Sequence, residues 1–404
     1  MKILFVNKFL YPNGGSETYI FELGKQLKKE GHEVQFFGME HKGRIVGNNI
    51  EAYTSDMDFH TGKIARLLYP FKILYSFEAR KQISKVLEDM QPDVVHLNNI
   101  NFQITPSIID EIIKYRKKNN KEIRIVSTAH DYQWVCPNHM MRIPSKDCNC
   151  DKCLGGKYFN CTKNKCIHNS TIKSLLGTIE ADLYRLKRTY AKIDTIICPS
   201  IFLHDQFKKD PVLSKCKLVS KHNFFIKGED FEDVMKLQKK DYVLYFGRYS
   251  KEKGIMTLIN AAKKLPEIPF IFAGSGPLEQ ELKDVENIEN RGFLSGNELH
   301  KLIREARFAI YPSEWNENCP FAVMEAISYG TPVLGARIGG IPELIGENTT
   351  GLEFVSGNIN ALTDMIHRLW NDPEKQNAME INCKKNGFDT VESYTDWLVS
   401  TVYN

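Results

Sequence analysis

Short runs of apolar, branched residues alternate with helical patterns along most of the chain. Lys2 to Asn7 is such a run, closed by Gly14-Gly15, after which Ser16 is placed to cap a helix with Ile20, Leu23 and Leu27 as its buried stripe. Strand, glycine turn and helix is the opening unit of a parallel sheet. Further runs at Glu33 to Phe37, Asp93 to Leu97, Ile123 to Thr128 and Asp194 to Cys198 read as strands, with a helix from about Ile172 to Ala191 and another opened by Pro199-Ser200. Apolar strands are then missing between roughly Phe225 and Asp241, which reads as a linker. The alternation restarts at Tyr242 to Phe246 and continues through Phe270 to Ala273, Phe308 to Tyr311 and Pro332 to Gly335.

Repeated strand and helix of this kind predicts an α/β architecture of two Rossmann-like, doubly wound domains facing across a cleft. The expected division is an N-terminal Rossmann-like domain over 1–225, with a cysteine-rich insertion at 136–166, and a C-terminal Rossmann-like domain over 226–385. Residues 386–404 carry Tyr394, Trp397, Leu398, Val402 and Tyr403 in an amphipathic pattern. That tail is either an ordinary last helix or one that packs back onto the first domain.

Composition narrows the picture. A chain of 404 residues with 42% apolar residues is too long for one core and suits two domains. Lys plus Arg number 54 against 50 for Asp plus Glu, a near balance that argues against nucleic acid as a partner. The apolar run at the start is far shorter than a signal peptide or a spanning helix, so the expected location is the cytoplasm. The stretch Lys63 to Phe77 mixes aromatic, aliphatic and basic residues, as an interfacial segment would, which adds peripheral contact with the inner face of the cell membrane to the expectations.

The strongest chemistry lies between Tyr311 and Ala326. A strand ends at Tyr311, a loop carries Glu317, and Pro320 stands at the first turn of a helix. Helix starts offer unpaired N–H groups and a positive dipole end, both suited to a diphosphate, and two nearby carboxylates, Glu317 and Glu325, can accept from sugar and ribose hydroxyls. The other domain-opening motif, Phe246-Gly247-Arg248-Tyr249-Ser250-Lys251-Glu252-Lys253-Gly254, sets Arg and Lys at a glycine turn, where they would neutralise a leaving diphosphate. A further glycine turn follows at Ala273-Gly274-Ser275-Gly276, and His130 follows directly on a strand, at the edge where doubly wound folds bind ligands.

Glu317 and Glu325, separated by seven residues, with Ala326-Ile327-Ser328-Tyr329-Gly330-Thr331-Pro332 after them, resemble the paired-glutamate signature of family 4 retaining glycosyltransferases of the GT-B fold. The likeness covers nearly the whole chain and implies that 1–225 is the acceptor-side domain and 226–385 the nucleotide-sugar-binding one. It implies transfer of a sugar, with retention, from a nucleotide-diphosphate sugar to a hydroxyl of a glycan or polyprenyl-diphosphate-linked glycan, with UDP the first and GDP the second expectation for the nucleotide, as in bacterial surface polysaccharide synthesis. By the same resemblance Arg248 and Lys253 hold the donor diphosphate, Glu317 the sugar, Glu325 the ribose, and His130 touches the sugar. Gly14 and Gly15 border the phosphates and acceptor. Gly247, Gly274, Gly276 and the loop of Asn318, Cys319, Pro320, Phe321, Ala322 and Val323 surround the donor, and Phe293 belongs to the segment that holds the base. Front-side attack, in which the departing phosphate takes the acceptor proton, is the family's favoured mechanism, and no cofactor is expected for the chemistry. A nucleotide-sugar epimerase of the same fold and a non-catalytic sugar-nucleotide binder are the competing readings.

Six cysteines between Cys136 and Cys166 stand apart from all this. Cys150-x2-Cys153-x7-Cys161-x4-Cys166 has the paired spacing of a structural zinc site, with Cys148 or Cys136 as substitutes. The glycine and lysine residues around them suit no hydrophobic core, so a metal would supply the order. Together with the resemblance, this segment marks a subgroup with a Cys-rich insertion after the His130 motif.

Overall fold

The computed structural model describes residues 1–56, 74–385 and 387–404. It divides into two units, Met1–His222 with Val391–Asn404, and Asn223–Thr390. Residues 63–73 of the interfacial segment anticipated above lie outside the described residues.

In the first unit, strands β1 (Lys2–Val6), β2 (Glu33–Phe37), β3 (Val94–Leu97) and β4 (Arg124–Thr128) precede a small hairpin, β5 (Arg142–Ile143) with β6 (Cys148–Asn149), and then β7 (Thr195–Cys198) and β8 (Leu218–Ser220). Six of them form one sheet in the order β2-β1-β3-β4-β7-β8, every pairing parallel. These strands are near-continuous apolar runs because helices cover both faces of a parallel sheet. Ile3, Leu4, Phe5 and Val6 are fully buried, as are Val95, Leu97 and Ile125. The chain reverses its winding between β1 and β3, which are adjacent in space although β2 intervenes in sequence.

The second unit repeats the plan with β9 (Lys240–Phe246), β10 (Phe270–Ala273), β11 (Ile288–Asn290), β12 (Ala306–Tyr311), β13 (Val333–Ala336) and β14 (Gly351–Phe354). Its order is β11-β10-β9-β12-β13-β14, again all parallel, with the reversal between β9 and β12. The two Rossmann-like, α/β domains expected from the alternation are therefore present.

Several local expectations need correction. The first helix spans Gly15–Lys29 with Gly14 at its cap, and Ser16 lies inside it, its hydroxyl donating to Glu17 and accepting from Asn99. The helix drawn to Ala191 spans Thr171–Leu186, and Arg188 then adopts φ +50°, which ends any regular helix. The segment read as a linker is ordered: Phe225 and Val234 are buried in the second unit's core and Phe231–Val234 is a helical turn. Its many charged residues hid the apolar anchors Phe231, Val234 and Met235, spaced for a short helix rather than a strand. Strands β8, β11 and β14 escaped notice because they are three or four residues long and lie towards the sheet edges, where polar residues are tolerated.

The tail belongs to the first unit. Helix Val391–Trp397 continues into a wider turn, Leu398–Tyr403, with Tyr394, Leu398, Val402 and Tyr403 buried. A chain of buried hydrogen bonds holds it: Tyr403 Oη lies 2.7 Å from His96 Nδ1, His96 Nε2 lies 2.8 Å from Thr128 Oγ1, and Tyr19 Oη bridges Thr128 Oγ1 and Tyr394 Oη, each at 3.0 Å. Burial holds the His96 ring neutral, its pKa pushed down to about 3. Tyr403→Phe should therefore strand one buried ring nitrogen at a cost of about 1–3 kcal/mol. Thermal denaturation is expected to show the first unit's transition shifted down by several degrees, and an unchanged midpoint would refute the tethering role.

Candidate active site

In the second unit, the loops after β9, β10 and β12 converge at the sheet's carboxyl edge. Three glycines make the convergence possible. A Cβ on Gly254, which sits at φ +71°, would lie 1.9 Å from the Pro312 carbonyl oxygen, and one on Gly274 would lie 1.9 Å from that of Gly247. At Gly276 it would strike the Tyr249 backbone at 2.4 Å. Only residues without a side chain let these backbones meet.

The meeting point carries an ion pair. Lys253, on the turn Lys251–Lys253 after β9, donates through Nζ to Glu317 Oε1 at 2.6 Å, and Glu317 comes from the loop after β12. So the two charges flank the winding reversal of this sheet, where open α/β folds bind ligands. The same carboxylate oxygen accepts from Tyr311 Oη at 3.2 Å and Ser313 Oγ at 3.0 Å, and Lys253 Nζ lies 3.2 Å from Tyr311 Oη. Its ammonium also stands over the rings of Tyr311 and Trp315, 5.6 and 5.5 Å from their centroids. Glu317 is held from behind as well: Gly340 N–H donates to its carbonyl at 2.8 Å, and a Cβ on Gly339 would collide with its backbone.

Helix Phe321–Ser328 starts just beyond, with Pro320 at its cap. Cys319 is buried and accepts from the Asn223 N–H at 3.4 Å, and burial pushes its thiol up to about 12, so it is inert at neutral pH. Glu325 keeps part of its surface open, yet its carboxyl is enclosed, and that burial raises its pKa from 4.5 to about 7. Arg248 is exposed, and no ion pair or side-chain hydrogen bond engages its guanidinium among the described residues. Phe293 projects from its loop, 75% exposed, and Gly292 ties that loop to the β10 turn through its carbonyl, which accepts from Gly274 N–H at 2.7 Å. The structure thus gathers Gly247, Lys253, Gly254, Gly274, Gly276 and Glu317 at one edge. Tyr311 stood in the sequence only as a strand end, and Ser313 and Gly339, which also hold Glu317, went unremarked, although the Gly339-Gly340 pair after a strand was an available signal.

The first unit has its own cluster at the equivalent edge. His130, just past β4, lies with Nε2 2.8 Å from Asn98 Oδ1, and its ring meets Tyr19 edge-on at 5.0 Å. The Asn98 amide nitrogen faces the carbonyls of Val6 and His96, so its oxygen is the acceptor and Nε2 of His130 carries the proton. Burial holds that ring neutral, its pKa lowered to about 4. Beside Gly14 and Gly15, Glu17 is buried and accepts from Asn7 Nδ2 at 2.8 Å and Ser16 Oγ at 2.9 Å. Asn98, Glu17, Asn7 and Lys8 were not singled out from the sequence. Lys8, whose pKa burial lowers, completes the group.

Of the predicted metal ligands, Cys153, Cys161 and Cys166 are buried together, Cys150 lies partly exposed against them, and Cys148 is exposed. Cys136 is buried in the first unit's main core, its Sγ donating to Asn138 Oδ1 at 2.8 Å. Among the described residues, no three His, Cys, Asp or Glu side chains already surround one point at metal-binding distance. The expectation of metal-free chemistry passed over one Asp-x-Asp spacing, Asp56-Met57-Asp58, of which Met57 and Asp58 lie outside the described residues.

Both sheets, their switch points and the converging glycine loops define the fold of GT-B glycosyltransferases. A solved structure of Anabaena HepE in complex with UDP superposes with a TM-score of 0.65 over 99% of this chain and 100% of that one, at 15% identity. Residues 13–220 match Glycosyltransferase Family 4 and residues 227–386 match Glycosyl transferases group 1, and the chain belongs to glycosyltransferase family 4. An uncharacterized 42.6 kDa protein in the cps region of Klebsiella pneumoniae is 25% identical over 85% of this chain and 87% of its own. N-acetyl-alpha-D-glucosaminyl L-malate synthase of Bacillus anthracis is 22% identical over 95% and 92%. No described helix is long and apolar enough to cross a membrane.

The raised pKa of Glu325 fixes the sign of a pH effect. A folded-state value near 7 against 4.5 when unfolded means the folded protein favours the protonated carboxyl, so stability is lost as pH rises through about 7. Glu325→Gln removes that loss. Its melting temperature should match the parent near pH 4.5 and exceed it increasingly up to pH 8. Parallel curves across that range would contradict the assignment.

Proposed function

We propose that the chain is a retaining hexosyltransferase that moves a sugar from a UDP-sugar, with GDP-sugars the second candidate, to a hydroxyl of a glycan or lipid-linked glycan in bacterial surface polysaccharide synthesis. The observation that carries this reading is the Lys253–Glu317 pair at the winding reversal of the second sheet, 2.6 Å long and braced by Tyr311 and Ser313. Lys253 and the exposed Arg248 take the donor diphosphate and stabilise its negative charge as the glycosidic bond breaks. Glu317 then accepts from sugar hydroxyls and Glu325 from the ribose. The start of helix Phe321–Ser328 adds N–H groups for phosphate oxygens.

His130 positions the sugar as a neutral hydrogen-bonding group. Its low pKa and its bond to Asn98 suit it poorly to collecting a proton at neutral pH. The departing phosphate is the better base, which fits front-side attack and retention. HepE has been crystallised with UDP and with UDP-glucose, and pneumococcal GtfA with UDP and GlcNAc, which supports UDP as the nucleotide. The Klebsiella relative's place in a cps region supports the polysaccharide setting. The inner face of the cell membrane is the expected workplace, and the cysteine segment marks a subgroup.

Transfer assays with a panel of nucleotide sugars test the reading. Lys253→Ala and Glu317→Ala should each reduce kcat/KM at least about a hundredfold, the scale of losing one transition-state donor. His130→Ala should cost about tenfold, in keeping with one lost hydrogen bond. UDP should raise the melting temperature more than GDP does, because a ligand that binds only the folded state stabilises it. Full activity in both charge variants would overturn the assignment, an inverted anomer in the product would overturn retention, and an epimerised sugar nucleotide without acceptor consumption would make the protein an epimerase.

A further inference from the structure

Helix Thr171–Leu186 carries its apolar stripe on the outside. Ser174, Thr178 and Tyr184 are its buried residues, whereas Ile172, Leu175, Ile179 and Leu186 are 74, 42, 43 and 83% exposed. The half-buried Leu176 and Leu183 fall on the same outer stripe at helical spacing. Polar residues face inward because their hydrogen bonds go to the loops beneath. Ser174 Oγ accepts from the Ile167 N–H at 3.0 Å, and Tyr184 Oη donates to the Leu74 carbonyl at 2.7 Å. Thr178 Oγ1 accepts from Thr162 Oγ1 at 2.8 Å and donates to the Tyr158 carbonyl at 3.1 Å. Four of the thirteen large apolar side chains exposed among the described residues thus lie on one helix of 16 residues, while the rest are spread along the chain. Single exposed apolar residues are ordinary, but a gathered patch marks an interaction surface.

The charges around the stripe point to what covers it. Lys187, just past the helix, is ion-paired with Asp110 and stands 4.7 Å from the centroid of the Tyr75 ring, which in turn lies 5.0 Å from the ring of Phe77. Phe77, 75% exposed, ends the interfacial segment read from the sequence and starts helix Phe77–Met90. Between that helix and Ser107–Lys118 runs an open groove lined by Phe77, Lys81, Lys85 and Lys114. Its acids are already engaged, Glu111 with Arg80 and Lys114, and Glu88 with Lys118. Lys81, Lys85 and, on the stripe-bearing helix, Lys173 are exposed and have no ion pair among the described residues, while Glu180 and Asp182 sit half-buried at the stripe's edges. A broad apolar face beside unpaired cations is the make-up of an element that lies in the interface of an anionic bilayer. A second copy of the chain suits it less, since isologous pairing brings two sets of unpaired cations into one interface.

We propose that Ile172, Leu175, Ile179 and Leu186, with Phe77, dock the first unit on an anionic lipid bilayer, the apolar side chains entering the acyl boundary and Lys81, Lys85 and Lys173 meeting the headgroup phosphates. The inference deepens the membrane setting of the proposed function, on which it rests for its biological partner, and uses none of the residues assigned to the reaction. The inward hydrogen bonds of Ser174, Thr178 and Tyr184 fix the helix in advance, so docking needs no ordering of the chain. Attachment through such a face is peripheral and reversible, and salt weakens its electrostatic part.

Flotation of the full-length chain with phosphatidylcholine vesicles containing phosphatidylglycerol tests the proposal. The wild-type protein should float with them and bind vesicles of phosphatidylcholine alone at least about tenfold more weakly. Ile172→Glu with Leu186→Glu should weaken binding at least about tenfold, and so should Lys81→Glu with Lys85→Glu, while both variants keep the parent's UDP-induced rise in melting temperature. The two pairs lie on different helices, so a folding defect in one leaves the other to decide. A wild-type protein that stays at the bottom of the gradient, or variants that float as it does, would overturn the proposal. So would a dimer in solution that Ile172→Glu with Leu186→Glu dissociates, which assigns the face to a second copy. Vesicle binding by a protein that transfers no sugar refutes the transferase reading and leaves the docking face standing, and transfer to a soluble acceptor without vesicle binding does the opposite.

Discussion

The contact between Lys253 and Glu317 constrains more of this molecule than any other. A carboxylate 7% exposed and an ammonium 22% exposed are costly to keep apart from water unless each has the other. The pair therefore fixes the turn after β9 against the loop after β12, and everything around it is shaped to permit that approach. Gly254 lets the turn reach the Pro312 carbonyl, and Gly339 lets the neighbouring loop pass behind Glu317. Tyr311 and Ser313 donate to the same carboxylate oxygen as Lys253, so that the group is oriented before any ligand arrives. In the proposed reaction this matters because charge placed in advance needs no reorganisation when the diphosphate departs.

The first unit solves a different problem with different chemistry. Beside Glu17 and Lys8, its site edge carries a network of neutral groups, His96 and His130 held uncharged by burial and Asn98, Thr128 and Tyr19 linking them. Such a network is rigid only while every member has a partner, and its last partners come from the far end of the chain. Tyr394 and Tyr403 close it from residues more than three hundred positions away in sequence. The C-terminal tail is thus a structural part of the N-terminal domain, and the order around His130 depends on it through Tyr19.

What the sequence disclosed follows from where information is local. Long buried strands such as β1, β2, β9 and β10 announce themselves as apolar runs, and the glycine turns after them need little context to recognise. Lys253 and Glu317 were identifiable because each sits in a motif of its own, but their mutual contact spans sixty-four residues and is a property of strand order, which no local pattern encodes. The supporting residues failed to register for the same reason: Asn98, Glu17 and Ser313 are ordinary polar residues in sequence and become significant only through what they face. The segment after Phe225 misled because charge density masked sparse anchors. Among the cysteines, Cys153, Cys161 and Cys166 pack together with Cys150 against them, whereas the turn from Tyr132 to Cys136 carries Cys136 into the first unit's main core.

The two units divide their electrostatics in a way that bears on the reaction as proposed. Cations that can face a diphosphate, Arg248 and Lys253, come from the second unit, whereas the candidate sugar contact in the first unit is an uncharged imidazole. That ring could take up a proton only at a desolvation cost, which is what lowers its pKa to about 4. Burial keeps His130 neutral over the physiological pH range, and its Nε2 proton is fixed on Asn98. Burial of the first-unit histidines is therefore more than a packing detail, because a neutral ring of fixed tautomer keeps the same donor and acceptor atoms whatever the pH in that range.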